Sequence, residues 1–301
     1  MSDAPAIVTR DLAKRYGSIV ALAGLSMTIP RGAVFGFLGP NGAGKTTAVK
    51  LLLGLARPTS GSAEVLGKPA GDRASRRRAG YLPELFRYQS WLTAREVLAL
   101  HCDLADIDRA AWAREIEDAL AVVGLSERGS SRVGTFSKGM QQRLGLGVAL
   151  LGDPELVLLD EPTSALDPVG RHDVREIIRA LSERGVTVFL NSHLLSEVEQ
   201  VCDRVAIVDR GKVIADGKLD ELLRADTVRV RATDLPRDAM SRLAAYGAMD
   251  GDGGWIVARD IDAERVPDLV AEIVRMGGRV HAVEARHETL EDRFLRLLSD
   301  A

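Results

Sequence analysis

The sequence has few cysteines, few aromatic residues and no long apolar run, and each shortage excludes a class of protein. Cys102 and Cys202 are the only cysteines among 301 residues, which are too few for a disulfide framework. Neither has Cys or His neighbours at the spacing of zinc ligands. The longest apolar run, 144–152, is far shorter than the roughly 20 residues of a membrane-spanning helix. No basic start precedes an apolar stretch at the N-terminus, so we expect no signal peptide.

The charge balance is close to neutral. Forty Lys and Arg residues stand against 43 Asp and Glu residues, which gives a net charge of −3. A nucleic-acid-binding chain usually carries a clear excess of basic residues, so we expect no nucleic-acid partner. At 46% hydrophobic residues, the composition is typical of a globular chain with a buried core.

The pattern along the chain predicts three regions. Short β-type runs alternate with helical patterns over the first 220 or so residues, which indicates an α/β domain with a largely parallel sheet. Residues from about 93 to 150 are almost wholly helical in pattern and predict a helical subdomain inserted into that core. A fresh pattern then predicts a small four-stranded α+β domain. We therefore expect one domain over 1–225 and an accessory domain over 226–301.

Hydrophobic periodicity assigns the individual elements. In the first region the predicted strands are 7–9, 25–29, 33–38, 63–66, 80–82, 155–160, 186–191 and 204–208. The predicted helices there are 45–55, 95–104, 110–123, 139–151, 170–184 and 194–201. In the second region we predict strands at 228–232, near 248, 255–258 and 279–285, with helices at 236–246, 263–276 and 290–298.

The segment Gly39-Pro-Asn-Gly-Ala-Gly-Lys-Thr fits the phosphate-loop pattern G-x-x-x-x-G-K-[ST] at every fixed position. Its glycines allow successive backbone N–H groups to curl around phosphate oxygens, and the following helix contributes a favourable dipole. Lys45 should reach the β- and γ-phosphates, and the Thr46 hydroxyl should bind Mg²⁺. The residues predicted to bind the nucleotide here are Gly39, Pro40, Asn41, Gly42, Ala43, Gly44, Lys45, Thr46 and Thr47.

A second chemical element lies in Leu156-Val-Leu-Leu-Asp-Glu, an apolar run that ends in two carboxylates. Active-site groups gather at the carboxyl ends of buried parallel strands. Asp160 is then a candidate Mg²⁺ ligand acting through a coordinated water. Glu161 is a candidate general base for the water that attacks the γ-phosphate. The chain contains no Asn-Lys-x-Asp motif that recognises guanine, which favours ATP over GTP.

Between these elements, Phe136-Ser-Lys-Gly-Met-Gln-Gln-Arg precedes a predicted helix. Together with the phosphate loop and Leu-Asp-Glu-Pro-Thr-Ser-Ala-Leu-Asp at 159–167, it resembles the nucleotide-binding subunit of ATP-binding cassette (ABC) transporters. The resemblance extends over roughly residues 5–220. It implies the P-loop NTPase fold of ABC ATPases and an ATP-hydrolysing activity.

The resemblance also implies roles that the residues alone would not indicate. Tyr16 corresponds to the aromatic residue that stacks on adenine. Ser137 and Gly139 match the signature segment that contacts the γ-phosphate held by another subunit. Asp167 matches the loop that crosses the dimer seam, and His193 matches the switch histidine that holds the catalytic glutamate.

Two positions depart from the common family pattern. Lys138 and Met140 replace the first glycine and the glutamine of the signature Leu-Ser-Gly-Gly-Gln. Glu84 stands where the family usually has a glutamine that binds Mg²⁺ and the attacking water. Both departures resemble a subgroup of bacterial exporters whose ATPase and permease are separate chains, and the C-terminal extension ending Leu-Glu-Asp-Arg-Phe-Leu at 290–295 is similar to theirs.

The resemblance implies two partners, a second copy of the chain in a head-to-tail dimer and a separate integral-membrane permease. The chain would then sit at the cytoplasmic face of the cell membrane. An alternative is an ABC-type ATPase that acts on nucleic acid or the ribosome without a membrane partner. A single cassette without sustained heptads argues against it. The C-terminal domain could add dimer contacts or bind a regulatory ligand, and nothing in the chain identifies the cargo.

Overall fold

The computed structural model describes residues 4–164, 166–223, 227–252, 254–259, 261–286 and 289–299. These residues divide into two compact units, the first ending at Leu219 and the second beginning at Asp220. No helix in the described ranges combines the length and the apolar character that a membrane span requires.

The first unit alternates strands and helices. Its strands are β1 (Ile7–Tyr16), β2 (Ile19–Ile29), β3 (Val34–Leu38), β4 (Ser60–Val65), β5 (Lys68–Pro69), β6 (Ala79–Leu82), β7 (Leu156–Asp160), β8 (Thr187–Asn191), β9 (Arg204–Asp209) and β10 (Lys212–Lys218). Its helices are α1 (Lys45–Leu52), α2 (Arg73–Arg76), α3 (Ala94–Leu104), α4 (Trp112–Val122), α5 (Lys138–Ala149), α6 (Pro168–Glu183) and α7 (Leu195–Val201), and α8 (Leu219–Leu222) follows β10.

The central sheet has the order β10-β9-β3-β8-β7-β6. Strands β6, β7, β8, β3 and β9 are parallel, and only β10 is antiparallel to its neighbour. Every residue of β3, β7 and β8 is buried, as their continuous apolar runs predict for a parallel sheet covered on both faces. The predicted α/β fold is confirmed, and the carboxyl ends of β3, β7 and β8 lie along one edge.

A second sheet, β2-β1-β4-β5, is antiparallel. Its inner side chains pack with α1 and the central sheet into one core, in which Leu12, Leu25, Val49, Phe35 and Phe189 are buried. The sequence pattern predicted only fragments of this sheet. The pairing of β1 with β2 contains several register shifts, and each bulge breaks the strict alternation by which a strand is recognised.

Helices α3, α4 and α5 lie between two strands that are neighbours in the central sheet, β6 and β7. They therefore form an insertion, as predicted. Helix α3 begins with a capping box, in which the Thr93 hydroxyl accepts from Glu96 N and the Glu96 carboxylate accepts from Thr93 N. Ser137 caps helix α5, and its hydroxyl accepts from Met140 N at 3.3 Å.

The second unit contains β11 (Thr227–Thr233), α9 (Ala239–Leu243), β12 (Ala248–Asp252), β13 (Trp255–Arg259), α10 (Val266–Arg275), β14 (Arg279–Arg286) and α11 (Leu290–Ser299). Its sheet has the order β12-β13-β11-β14 with antiparallel pairs throughout. This is the β-α-β-β-α-β arrangement of ferredoxin-like domains. The unit has its own core, which includes Val230, Leu243, Ile256, Leu269 and Ile273.

Candidate functional site

A cavity of about 400 Å³ opens where β3, β7 and β8 end. It brings together ten of the residues predicted from motifs or from the family resemblance, and four others. The lining residues are Ile19, Val20, Ala21, Asn41, Gly42, Gly44, Lys45, Thr46, Thr47, Glu84, Asp160, Glu161, Asn191 and His193. Loops at the carboxyl ends of parallel strands are the usual place for an active site in an open α/β sheet.

The phosphate loop connects β3 to α1. Gly44 has a φ of 99°, a backbone conformation that favours glycine, and a Cβ there would collide with the Ala21 carbonyl oxygen. The Lys45 Nζ donates to the Gly39 carbonyl oxygen at 2.7 Å and lies 3.3 Å from that of Pro40. Ala43 is buried and does not line the cavity. The loop thus places the lysine over its own curved backbone, within the cavity.

Asp160 ends β7 and Glu161 follows it in a left-handed backbone conformation, with a φ of 53°. Few non-glycine residues adopt this conformation, and it is held here by a hydrogen bond from Glu161 N to the Asn191 carbonyl oxygen at 2.8 Å. Both carboxylates are buried, with Asp160 1% and Glu161 7% exposed. The turn therefore directs two adjacent carboxylates into one cavity.

His193 stands two residues after β8 and reaches Glu161. Its Nδ1 lies 2.7 Å from Glu161 Oε2. The two atoms are close, but the buried Oε2 accepts no hydrogen bond within the described residues. The resemblance to the family predicted this pairing, and the two side chains lie together.

The buried charges perturb one another. Burial lowers the pKa of the Lys45 ammonium, and the charges of Glu161, Asp160 and Glu84 partly oppose that effect. Burial raises the pKa of Asp160 above its usual value, against the stabilising hydrogen bond from Asn191. Burial, with the charges of Asp160 and Glu84, raises the pKa of Tyr81 to about 12. Such displaced pKa values are typical of functional sites.

The lining of the cavity contains groups of the kind that hold a divalent cation. Among its lining residues, three carboxylates face a single lysine and a histidine, so the cavity carries an excess of negative charge that a cation would balance. The Thr46 hydroxyl with the carboxylates of Asp160 and Glu84 offers oxygen donors of the kind that Mg²⁺ prefers. The described residues hold no group of three or more His, Cys, Asp or Glu arranged as a metal site, and Mg²⁺ normally completes its shell with water and phosphate oxygens.

Seven predicted residues do not line the cavity: Gly39, Pro40 and Ala43 belong to the phosphate loop, and the other four lie elsewhere in the chain. Tyr16 ends β1 and is 47% exposed, with Lys14 Nζ 4.8 Å from its ring centroid. Ser137 and Gly139 lie at the start of α5, where Ser137 is exposed. Asp167 caps α6, and its carboxylate accepts from Gly170 N at 2.8 Å. Ser137, Gly139 and Asp167 thus do not line the cavity. Tyr16 pairs in the sheet with Ile19, which does.

Neither motifs nor periodicity predicted Asn191 as a site residue. It ends β8 directly beside Asp160 in the parallel register and donates a hydrogen bond from Nδ2 to Asp160 Oδ1. An asparagine at the end of an apolar strand is the only signal that the sequence offered. The apolar residues Ile19, Val20 and Ala21 were also missed, because they belong to the irregular β2.

Comparison with known proteins identifies the family. Residues 22–164 match the family model described as ABC transporter. An uncharacterised ABC transporter ATP-binding protein of Nostoc sp. is 41% identical over 96% of this chain and 88% of its own length. A Nod factor export ATP-binding protein I of Burkholderia orbicola is 35% identical over 99% of this chain and 98% of its own.

A solved structure of an ATP-binding subunit of an ABC transporter is similar at a TM-score of 0.66 and 32% identity, over 73% of this chain and 92% of that one. The family model, the relatives and the solved structure agree with the fold. This chain belongs to the ATP-binding subunits of ABC transporters, and it is an ATP hydrolase.

Proposed function

We propose that this ATPase powers an exporter, and that two copies associate head to tail around ATP and drive a separate permease at the cytoplasmic face of the membrane. The observation that carries the proposal is the separation of the chain's functional groups. The cavity holds Lys45, Asp160 and Glu161, whereas Ser137 and Asp167 lie elsewhere on the chain. A second copy can supply the missing groups. The Nod factor export relative, which matches along nearly its whole length, favours export.

The predicted residues have distinct roles in the proposed hydrolysis. Lys45 and the backbone N–H groups of 41–47 hold the phosphates, and Glu161 accepts a proton from the attacking water. His193 lies 2.7 Å from Glu161 and keeps that carboxylate in place. His193 also contacts the γ-phosphate. Tyr16 stacks on the adenine ring. A buried carboxylate thus acts as the base, and a loop of hydrogen-bond donors binds the phosphates.

Mg²⁺ fits this site. When bound, it would neutralise charge that develops on the phosphate oxygens. The Thr46 hydroxyl and the carboxylates of Asp160 and Glu84 would hold it, with Asp160 acting through a water. Glu84 brings a full charge where the family usually has an amide, so this chain places one more negative charge near the γ-phosphate than its relatives with glutamine.

The head-to-tail dimer completes the site. Ser137 and Gly139 lie at the exposed amino end of α5, where backbone N–H groups and the helix dipole favour an anion. In the dimer they contact the γ-phosphate held by the other copy, and Asp167 crosses the seam. Loss of the γ-phosphate removes these contacts, so nucleotide state determines whether the dimer is closed.

The permease would dock on a groove of about 410 Å³ between the central sheet and the inserted helices. We call it the arginine groove, because Arg73, Arg76 and Arg77 line it. Leu104, which is 71% exposed, also lines it. Strand β6 runs from this groove towards Glu84, so a helix seated here would lie close to the chain segment that reaches the nucleotide cavity.

We also propose that 1–225 form the ATPase domain and that 226–301 form an accessory domain. The separate core of the second unit supports this division. The accessory domain would add contacts to the dimer.

Copurification tests the transporter proposal. The tagged chain, isolated from its host in a gentle detergent, should retain an integral-membrane polypeptide. Arg76→Glu, which reverses a charge in the arginine groove, should lose most of that polypeptide while ATP binding is kept. Arg128→Glu on the exposed surface of the insertion serves as the control. Recovery of the wild-type chain alone, or with nucleic acid or ribosomes, would refute the proposal.

A further inference from the structure

Asn191 lines the cavity, and no sequence motif assigns it a role. It lies beside Asp160 in the parallel pairing of β7 and β8, and both side chains are 1% exposed. Glu161 and Lys45 line the same cavity. A fully buried polar side chain at this position is costly unless its hydrogen bonds are used.

Asn191 is hydrogen-bonded to both Asp160 and Glu161. Its side-chain Nδ2 donates to Asp160 Oδ1. Its backbone carbonyl oxygen accepts from Glu161 N at 2.8 Å and holds the left-handed conformation of that residue. An ionised carboxylate can only accept, so an amide nitrogen is the group that must face Asp160. One residue therefore holds the Asp160 side chain and the Glu161 backbone through separate atoms.

The remaining amide atom has no partner. Asn191 Oδ1 is buried and accepts no hydrogen bond in the part of the chain that the structure describes. A buried, unpartnered acceptor in a cavity lined by carboxylates is suited to a donor that arrives with a ligand, such as a water bound to a cation. Asn191 can thus serve a cation in two ways, by holding one oxygen of Asp160 and by accepting from a bound water.

We propose that Asn191 is a positioning residue for the divalent cation that accompanies ATP. Its Nδ2 holds one oxygen of Asp160 and leaves the other for the cation's water, and its Oδ1 accepts a hydrogen bond from a water on the cation. The inference rests on the proposed Mg²⁺ site. Groups that orient metal ligands typically contribute 10- to 100-fold to metal affinity or activity.

Asn191→Leu tests the inference, because leucine keeps the approximate shape and removes both polar atoms. We expect the affinity for a fluorescent ATP analogue in EDTA to stay within about twofold of wild type. With Mg²⁺ present, the apparent Mg²⁺ dissociation constant should rise about 10- to 100-fold. Asn191→Ser, which retains a hydroxyl donor, should recover part of the loss.

Thr187→Val is the matched control. Thr187 is buried at the opposite end of β8 and accepts from Gly32 N at 3.0 Å, so its loss disturbs the same strand away from the cavity. A Mg²⁺ dependence of Asn191→Leu equal to wild type would overturn the inference, as would an equal loss of affinity with and without Mg²⁺. If the wild-type chain itself binds ATP without any dependence on Mg²⁺, the proposed Mg²⁺ site fails instead.

Discussion

Glu161→Gln separates the chemistry of hydrolysis from the binding of ATP. Glutamine has the shape of glutamate, and Glu161 is 7% exposed within a fixed turn, so the substitution removes the basic oxygen with little change of packing. A positioned general base typically contributes 10²- to 10⁴-fold to the rate. At 1.36 kcal/mol for each factor of ten, the barrier should rise by about 3–5 kcal/mol.

ATP binding should survive the same change. Glu161 is one of the negative charges around Lys45, so its neutralisation reduces repulsion of the phosphates and leaves affinity equal to wild type or tighter. Because ATP is not consumed, the closed dimer should accumulate. Phosphate release measures the rate, a fluorescent ATP analogue measures affinity, and light scattering measures the mass with ATP.

The control for this experiment is Glu183→Gln at the exposed end of α6, which should behave as wild type in all three assays. Turnover of Glu161→Gln within about threefold of wild type would refute the role of Glu161 as the base. A large loss of both turnover and ATP affinity would show that the Glu161 side chain supports the structure of the phosphate-binding loop rather than accepting the proton.

Two further predictions concern the same cavity. Lys45→Ala should weaken ATP binding about 10- to 100-fold, because it removes a charge-assisted hydrogen bond to phosphate. An unchanged dissociation constant in a binding titration would contradict the role of Lys45 in phosphate binding. Asp160→Asn should raise the melting temperature at pH 7 in EDTA without nucleotide. Burial raises the pKa of Asp160 in the folded chain, so its ionised form costs stability at higher pH, and the gain should vanish as the pH falls below about 4. A gain that persists at low pH would contradict this assignment.

Much of the central sheet could be predicted because its strands are uninterrupted apolar runs. The phosphate loop and the Asp160–Glu161 pair follow fixed spacings, and their position at strand ends places them at one edge of a parallel sheet. The ends of some elements, and the existence of others, could not be predicted from local periodicity. Helix α1 ends at Leu52, three residues before the predicted end, and Gly54 follows with a φ of 70°. Strand β10 was not predicted, because only antiparallel pairing with β9 identifies its mixed residues as a strand.

The role of Asn191 depends on pairing between strands that are 31 residues apart. Periodicity predicted the strand that it ends, but the register that sets it beside Asp160 exists only in the sheet. The role of His193 was predicted only through the family resemblance, because a single histidine after a strand has no distinctive spacing. Sequence patterns thus found residues whose chemistry is local and missed those whose role comes from a neighbouring strand.

Mixing two inactive variants tests most directly whether the site is shared between copies. Lys45→Ala destroys the phosphate loop of its own chain, and Ser137→Arg destroys the signature segment that it offers to a partner. In a mixed head-to-tail dimer, one of the two sites retains both intact elements. Equal amounts of the two should recover about a quarter of the wild-type ATPase rate, since half of the dimers are mixed. A mixture that stays as inactive as its components would contradict the shared site.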